Sequence, residues 1–202
     1  MILKKWVLAF VLIIFCWQTK YKAISFQEFK WAIFHPIAAI KVKQITKKCN
    51  KIYFNPNLKL QLDSFESGGK LDAFRHIFYM AAYAQKIKIK KLRKLGIAHE
   101  KGNYKQFLKG SLENGELPDS ISTVMDLNNN EIAFALQTKF KYLPLIELQN
   151  NVIKLINKNG AFVILRNELG EFIDCEGTKI IYKKEWHINK CLIKPKFNLH
   201  EL

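Results

Sequence analysis

Arginine is nearly missing from this chain. Of its 33 basic residues, three are arginine (Arg75, Arg93 and Arg166) and the rest are lysine. Acidic residues are scarce too, 17 against those 33, which leaves a formal charge of +16. Such a charge attracts nucleic acid and anionic lipid without specifying either. Base-specific recognition relies on the bidentate guanidinium, so the shortage of arginine argues against a specific nucleic-acid partner. Lysine, isoleucine and asparagine share AT-rich codons, and that bias accounts for much of the charge. Non-specific attraction to an anionic envelope component or to membrane phosphate is compatible with it.

Cysteine is also rare, with four residues and no CxxC or Cys/His spacing, which argues against a structural zinc site. Cys175 and Cys191 flank a β-like segment and could pair in an oxidising compartment, leaving Cys49 over; buried free thiols are the alternative. There is no G-x-S-x-G, no glycine-rich phosphate loop and no dinucleotide fingerprint. No apolar run reaches the roughly 20 residues that a bilayer span needs. The run from Trp6 to Trp17 follows Lys4 and Lys5 and suits the apolar region of a secretory signal. Lys20 and Lys22 follow it, so its flanking charges do not orient an anchor. The nearest approach to a small-x-small cleavage site is Tyr21-Lys22-Ala23, and Phe15 stands where a lipoprotein needs a small residue before Cys16. We expect residues 1–25 to be an export signal or short membrane anchor, with membrane association through residues 6–17 and a location in the cell envelope.

What remains can build a core. The chain has 202 residues, 49% hydrophobic and 25% charged, as an ordinary folded domain has. Phe26 to Thr46 is helical in pattern with a break at His35-Pro36, where proline stops one helix and starts the next. Residues 55–70, with Pro56 and Gly68-Gly69, read as a connecting loop. Helical periodicity returns from Leu71 to about Gln85, from Ile89 to about Lys101, and briefly near Tyr104 to Leu112. Gly115 to Pro118 reads as a loop. Asp119 or Ser120 can cap a long helix to about Lys139, and a short one follows Pro144. Ala161 to Arg166, Glu171 to Cys175 and Lys179 to Tyr182 alternate as strands do, with a turn at Asn167 to Gly170. The expected fold is mainly α, a helical bundle with a small C-terminal β-hairpin. Residues 26–145 form the helical domain and 146–202 the tail.

The candidate site is a set of polar residues in helical segments. At about 100° per residue, Asp72, Arg75, His76, Tyr79 and Tyr83 share one narrow face, opposite Phe74, Ile77, Phe78 and Ala81. Elsewhere in the chain solvated faces are filled with lysine, so this choice of residues carries information. His99 falls on the face of Leu92, Leu95 and Gly96 and points inward, with Glu100 at its margin. Gly96 leaves room for the close approach of another helix. Asp126 shares a face with Asn129 and Asn130, although consecutive asparagines are poor helix formers. Buried polar groups must find partners. A hydrogen-bonded network is one outcome, with Arg75 pairing Asp72 or Asp126. A divalent metal held by His76, His99 and carboxylates from Glu100, Asp72 or Asp126 is a second. Acid/base chemistry with His76 or His99 as base, and Arg75 holding an anion, is a third. A metal-dependent or acid/base hydrolase would draw its catalytic groups from His76, His99, Glu100 and Asp126.

The segments Asp72-Ala73-Phe74-Arg75-His76, Ala98-His99-Glu100 and Met125-Asp126-Leu127-Asn128-Asn129-Asn130 resemble a bacterial domain family of unknown function. Its exported or envelope members, many from the Bacteroidota, share a D-A-x-R-H … A-H-E … M-D-x-x-N-N pattern. The resemblance covers residues 32–140. It implies that Asp72, Arg75, His76, His99, Glu100, Asp126, Asn129 and Asn130 belong together, and it carries over no activity. Such domains often have a glycine shortly after the asparagines; Ala133-Phe134 stands here, which still provides a small residue.

Overall fold

The computed structural model describes residues 24–181 and 184–196. The apolar run 6–17 and Cys16 lie outside the described residues. Eight helices and one two-stranded antiparallel sheet are described, so the protein is mainly α with a small C-terminal β pairing. No described helix is long and apolar enough to cross a membrane.

Helix α1 (Phe26–Phe34) opens with a capping box, Ser25 Oγ accepting from the Glu28 amide while Glu28 accepts from the Ser25 amide. His35 ends it, and Pro36 sits in the first turn of α2 (Pro36–Tyr53), where its missing N–H costs nothing. The segment expected to be a plain loop contains a short helix, α3 (Pro56–Gln61), because Asn55 caps it and Pro56 again suits the first turn. Helix α4 (Lys70–Ala84) forms the centre. It packs against α2, α5 (Ile89–Lys109), α6 (Ser120–Ala135), α7 (Gln137–Phe140) and α8 (Leu145–Asn157). Twelve of its 15 residues are buried, Asp72 and His76 included, so the face that reads as polar in sequence lies inside the molecule.

Two expected boundaries move. The break expected between Lys101 and Tyr104 is absent, and α5 runs unbroken to Lys109, ending at Gly110 in the left-handed conformation. Gly102 lies inside the helix, where a Cβ would meet Ser25 at 2.7 Å, so glycine lets the start of α1 rest on α5. The long helix expected to reach about Lys139 ends at Ala135, and Leu136 separates it from α7.

The C-terminal pairing expected between 161–166 and 171–175 forms in part, at the Arg166–Phe172 bridge, and the described sheet uses a second partner. Strand β1 (Val163–Ile164) pairs with β2 (Leu192–Ile193). The 171–175 segment contributes isolated bridges instead, Arg166 with Phe172 and Ile173 with Lys179. The Cys175–Cys191 disulfide explains the preference, because it ties the segment before β2 to the 171–175 layer. Cys49 is the described free thiol, and burial pushes it up to about 12. The tail is fastened to the helices by Lys190, whose buried ammonium lies 2.7 Å from Asp119 Oδ2. Asp119 also caps α6, accepting from the Ile121 and Ser122 amides.

Candidate functional site

The first turn and a half of α4 supplies three members at i, i+3 and i+4. Asp72 Oδ2 accepts the Gly68 amide at 2.7 Å, and its Oδ1 accepts from Arg75 Nη2 at 2.5 Å. His76 Nε2 lies 3.2 Å from Asp126 Oδ2 and 3.6 Å from Asp72 Oδ1. The same nitrogen is 3.2 Å from Arg75 Nη2. His76 Nδ1 lies 3.3 Å from Asn130 Oδ1. With Nδ1–H directed at that amide oxygen, exchange of the Nε2 proton for a metal would give the arrangement of a metal-binding imidazole. Asn130 reaches this position because Gly96 of α5 has no side chain; a Cβ there would meet the Asn130 amide nitrogen at 2.9 Å.

Helix α5 adds Glu100, which is more deeply placed than the sequence suggests. Its Oε2 accepts from Thr123 Oγ1 at 2.9 Å and from Asn103 Nδ2 at 3.4 Å. Thr123 and Asp126 are both on α6, so Glu100 faces that helix. His99 turns the other way. Expected to point into the core, it is partly exposed, with Nδ1 3.0 Å from Glu28 Oε1 of α1 and Nε2 3.5 Å from Glu113 Oε1. The two close approaches on α5 explain the inversion: α6 packs at Gly96 and α1 at Gly102, and each captures the ionisable residue on its own side.

Glu28 and Glu113 are site residues that the sequence reading missed. Glu113 and Glu116 pair across a two-residue turn at Asn114-Gly115, both with positive φ. Asn-Gly is the strongest short hairpin signal, so this turn could have been found. Nothing in the sequence marks Glu28 as a partner of His99 beyond its capping role.

Asp72, Arg75, Glu100, Glu113, Asp119 and Asp126 are among the residues around a cavity of about 20 Å³, enough for one water or one ion. Three buried atoms of its lining residues have no hydrogen-bond partner among the described residues: Asp126 Oδ1, Glu100 Oε1 and Arg75 Nε. Burial and the neighbouring charge of Asp126 push Glu100 up to about 7, against the opposing pull of His99, His76 and the Thr123 hydroxyl. Burial also raises Asp72, with Arg75 opposing it. For His99 burial disfavours the charged ring, but hydrogen bonds to Glu113 and Glu28 and the charge of Glu100 outweigh it and raise the ring to about 10. His76 rises as well, burial being overcome by Asp126.

The structure therefore gathers Asp72, Arg75, His76, Glu100, Asp126 and Asn130, with His99 beside them. The ring centroids of His76 and His99 are 6.4 Å apart. Asn129 is elsewhere: its side chain clamps the Phe162 backbone, donating to the carbonyl at 2.9 Å and accepting from the amide at 3.0 Å. Of the metal set expected from His76, His99, Glu100 and Asp126, two members, His76 and Asp126, fall in one compact group with Asp72. Asp72, His76 and Asp126 each offer one ligand atom, all within 4.8 Å of one another, and this buried group could hold a metal ion. His99 is taken by its two carboxylates.

The fold and the site define a helical domain built around a buried, partly unsatisfied Asp/His/Arg/Glu cluster. Residues 29–160 match the family described as a domain of unknown function (DUF6973), and the chain belongs to that family. The match spans α2 to α8, most of α1, and every site residue named above except Glu28. No curated protein and no solved structure matches the chain.

Proposed function

We propose that this protein is an exported or membrane-anchored envelope protein whose polar core binds one divalent cation through Asp72, His76 and Asp126. The observation that carries the reading is the pair of buried carboxylate oxygens, Asp126 Oδ1 and Glu100 Oε1, without partners among the described residues, on residues that line a cavity of ionic size. Each buried acceptor left unpaired costs about 1–3 kcal/mol, a cost that a cation in the cavity would offset. One imidazole and two carboxylates suit a first-row divalent ion such as Zn²⁺ or Mn²⁺ better than Ca²⁺, which favours all-oxygen sites. The Arg75 guanidinium supplies the balancing charge beside His76 Nε2, so cation entry requires it to turn aside. At 22% side-chain exposure it is freer to do so than Asp72 or His76. Glu113, whose charge acts on Arg75, stands as its alternative neighbour.

Export is supported by the basic leader and apolar run at residues 4–17, and by the Cys175–Cys191 disulfide, a bond that persists in oxidising compartments. A second reading is favoured by Glu100: a carboxyl at about 7 can give or take a proton at neutral pH, as an acid/base hydrolase of an envelope substrate requires. His99 does not fit the role of base, because two carboxylates hold it as a cation.

Thermal melts of chelator-treated protein titrated with Zn²⁺, Mn²⁺ and Mg²⁺ test the binding reading. We expect Zn²⁺ or Mn²⁺ at a hundredfold excess over its dissociation constant to raise Tm by about 5–10 °C. Asp126→Asn and His76→Gln should abolish the rise, and His99→Gln should keep it. An unshifted melt for all three ions would reject the reading.

A further inference from the structure

Helices α1 and α2 meet at the His35-Pro36 break, and the surface around that corner is apolar. Ile24, Phe26, Ile33, Phe34, Ile37 and Ile40 are each more than half exposed, within 17 residues of sequence. Single exposed apolar side chains are ordinary, but a cluster of this kind marks a surface with a partner. The inward side of the same helices already has its own packing residues, Trp31 and Ala38. Beyond the corner, α2 carries Lys41, Lys43, Lys47, Lys48 and Lys51 and no acidic residue at all. Upstream stands the apolar run Trp6 to Trp17, bracketed by lysines. Its 12 residues fall short of the roughly 20 that a bilayer span takes.

We propose that the α1–α2 corner is a membrane-docking face for an anionic bilayer, its apolar side chains entering the interfacial layer while the α2 lysines meet lipid phosphates. Apolar groups beside an all-lysine flank are the composition of interfacial helices on anionic lipid. In sequence the apolar run ends at Trp17, seven residues before Ile24. A protein partner would find neither acidic side chains to pair with on α2 nor a strand edge to extend. The docking face does not depend on what occupies the polar core.

The test uses the full chain with vesicles of phosphatidylcholine alone or containing 30% phosphatidylglycerol. Hydroxyl-radical footprinting reads the corner directly, and residues 24–40 should be protected severalfold on the anionic vesicles. Ile33→Ser/Phe34→Ser/Ile37→Ser should bind at least about tenfold more weakly, since three apolar side chains leave the interface. Lys41→Gln/Lys47→Gln/Lys48→Gln should lose the preference for phosphatidylglycerol, each lysine being worth roughly a fivefold factor at such a surface. These positions are exposed, so both variants should melt as the parent does; if one does not, the footprint of the unaltered chain decides. Equal oxidation of residues 24–40 with and without bound vesicles would overturn the proposal, as would protection confined to residues 6–17.

Discussion

Glu100 is the residue whose environment is most at odds with its charge. It is buried beside Asp126, one of its oxygens has no partner among the described residues, and it titrates near 7 where an exposed glutamate titrates near 4.5. A carboxyl raised in this way favours the folded state below its unfolded value and loses that advantage as pH rises from about 4.5 to about 7. His99 acts in the same direction over a higher window. Its contribution is complete below 6.5 and is lost as pH climbs through about 10. Chelator-treated protein should therefore be most stable in mild acid. Glu100→Gln should remove the lower step, narrowing the stability difference between pH 4.5 and pH 8 by on the order of 1–3 kcal/mol. Urea unfolding at the two pH values reads this directly. A variant with the parent's full pH dependence would show that Glu100 is not the strained group.

At the scale of the elements, Asn129 and Asn130 show how neighbouring residues on one helix serve different ends. Asn130 faces His76, while Asn129 holds the Phe162 backbone and so fastens the β tail to α6. Asn129→Ala should cost about 1–3 kcal/mol by leaving that buried backbone amide and carbonyl unpaired, without altering the response to cation. A lost response at unchanged stability would place Asn129 in the site after all. Periodicity made α4 legible because its i, i+3, i+4 spacing puts Asp72, Arg75 and His76 on one face whatever surrounds it. It could not orient His99 and Glu100. They are adjacent on α5, and which one turns inward depends on where α1 and α6 approach, at Gly102 and Gly96. Likewise the alternation in residues 161–182 marked β structure without naming its partner, because the Cys175–Cys191 link and the distant Leu192 decide the pairing.

For the whole molecule, the helices surround α4 and enclose a cluster in which the acidic groups outnumber the cations that face them. The cavity is bordered by Asp72, Glu100, Glu113, Glu116, Asp119 and Asp126, with Arg75 the cation on its lining. Lys190, His99, Arg166 and His76 stand against Asp119, Glu113, Glu116 and Asp126, and among the described residues Glu100 has no cation bonded to it in this way. One divalent cation held by Asp72, His76 and Asp126 would offset the carboxylate charge beside Glu100. Elemental analysis of protein purified without chelator, set against Asp126→Asn prepared identically, measures this most directly. Close to one equivalent of a first-row divalent metal is expected in the parent and little in the variant. Metal-free parent protein that also takes up none on direct titration would contradict this, and would leave the cluster as a structural network.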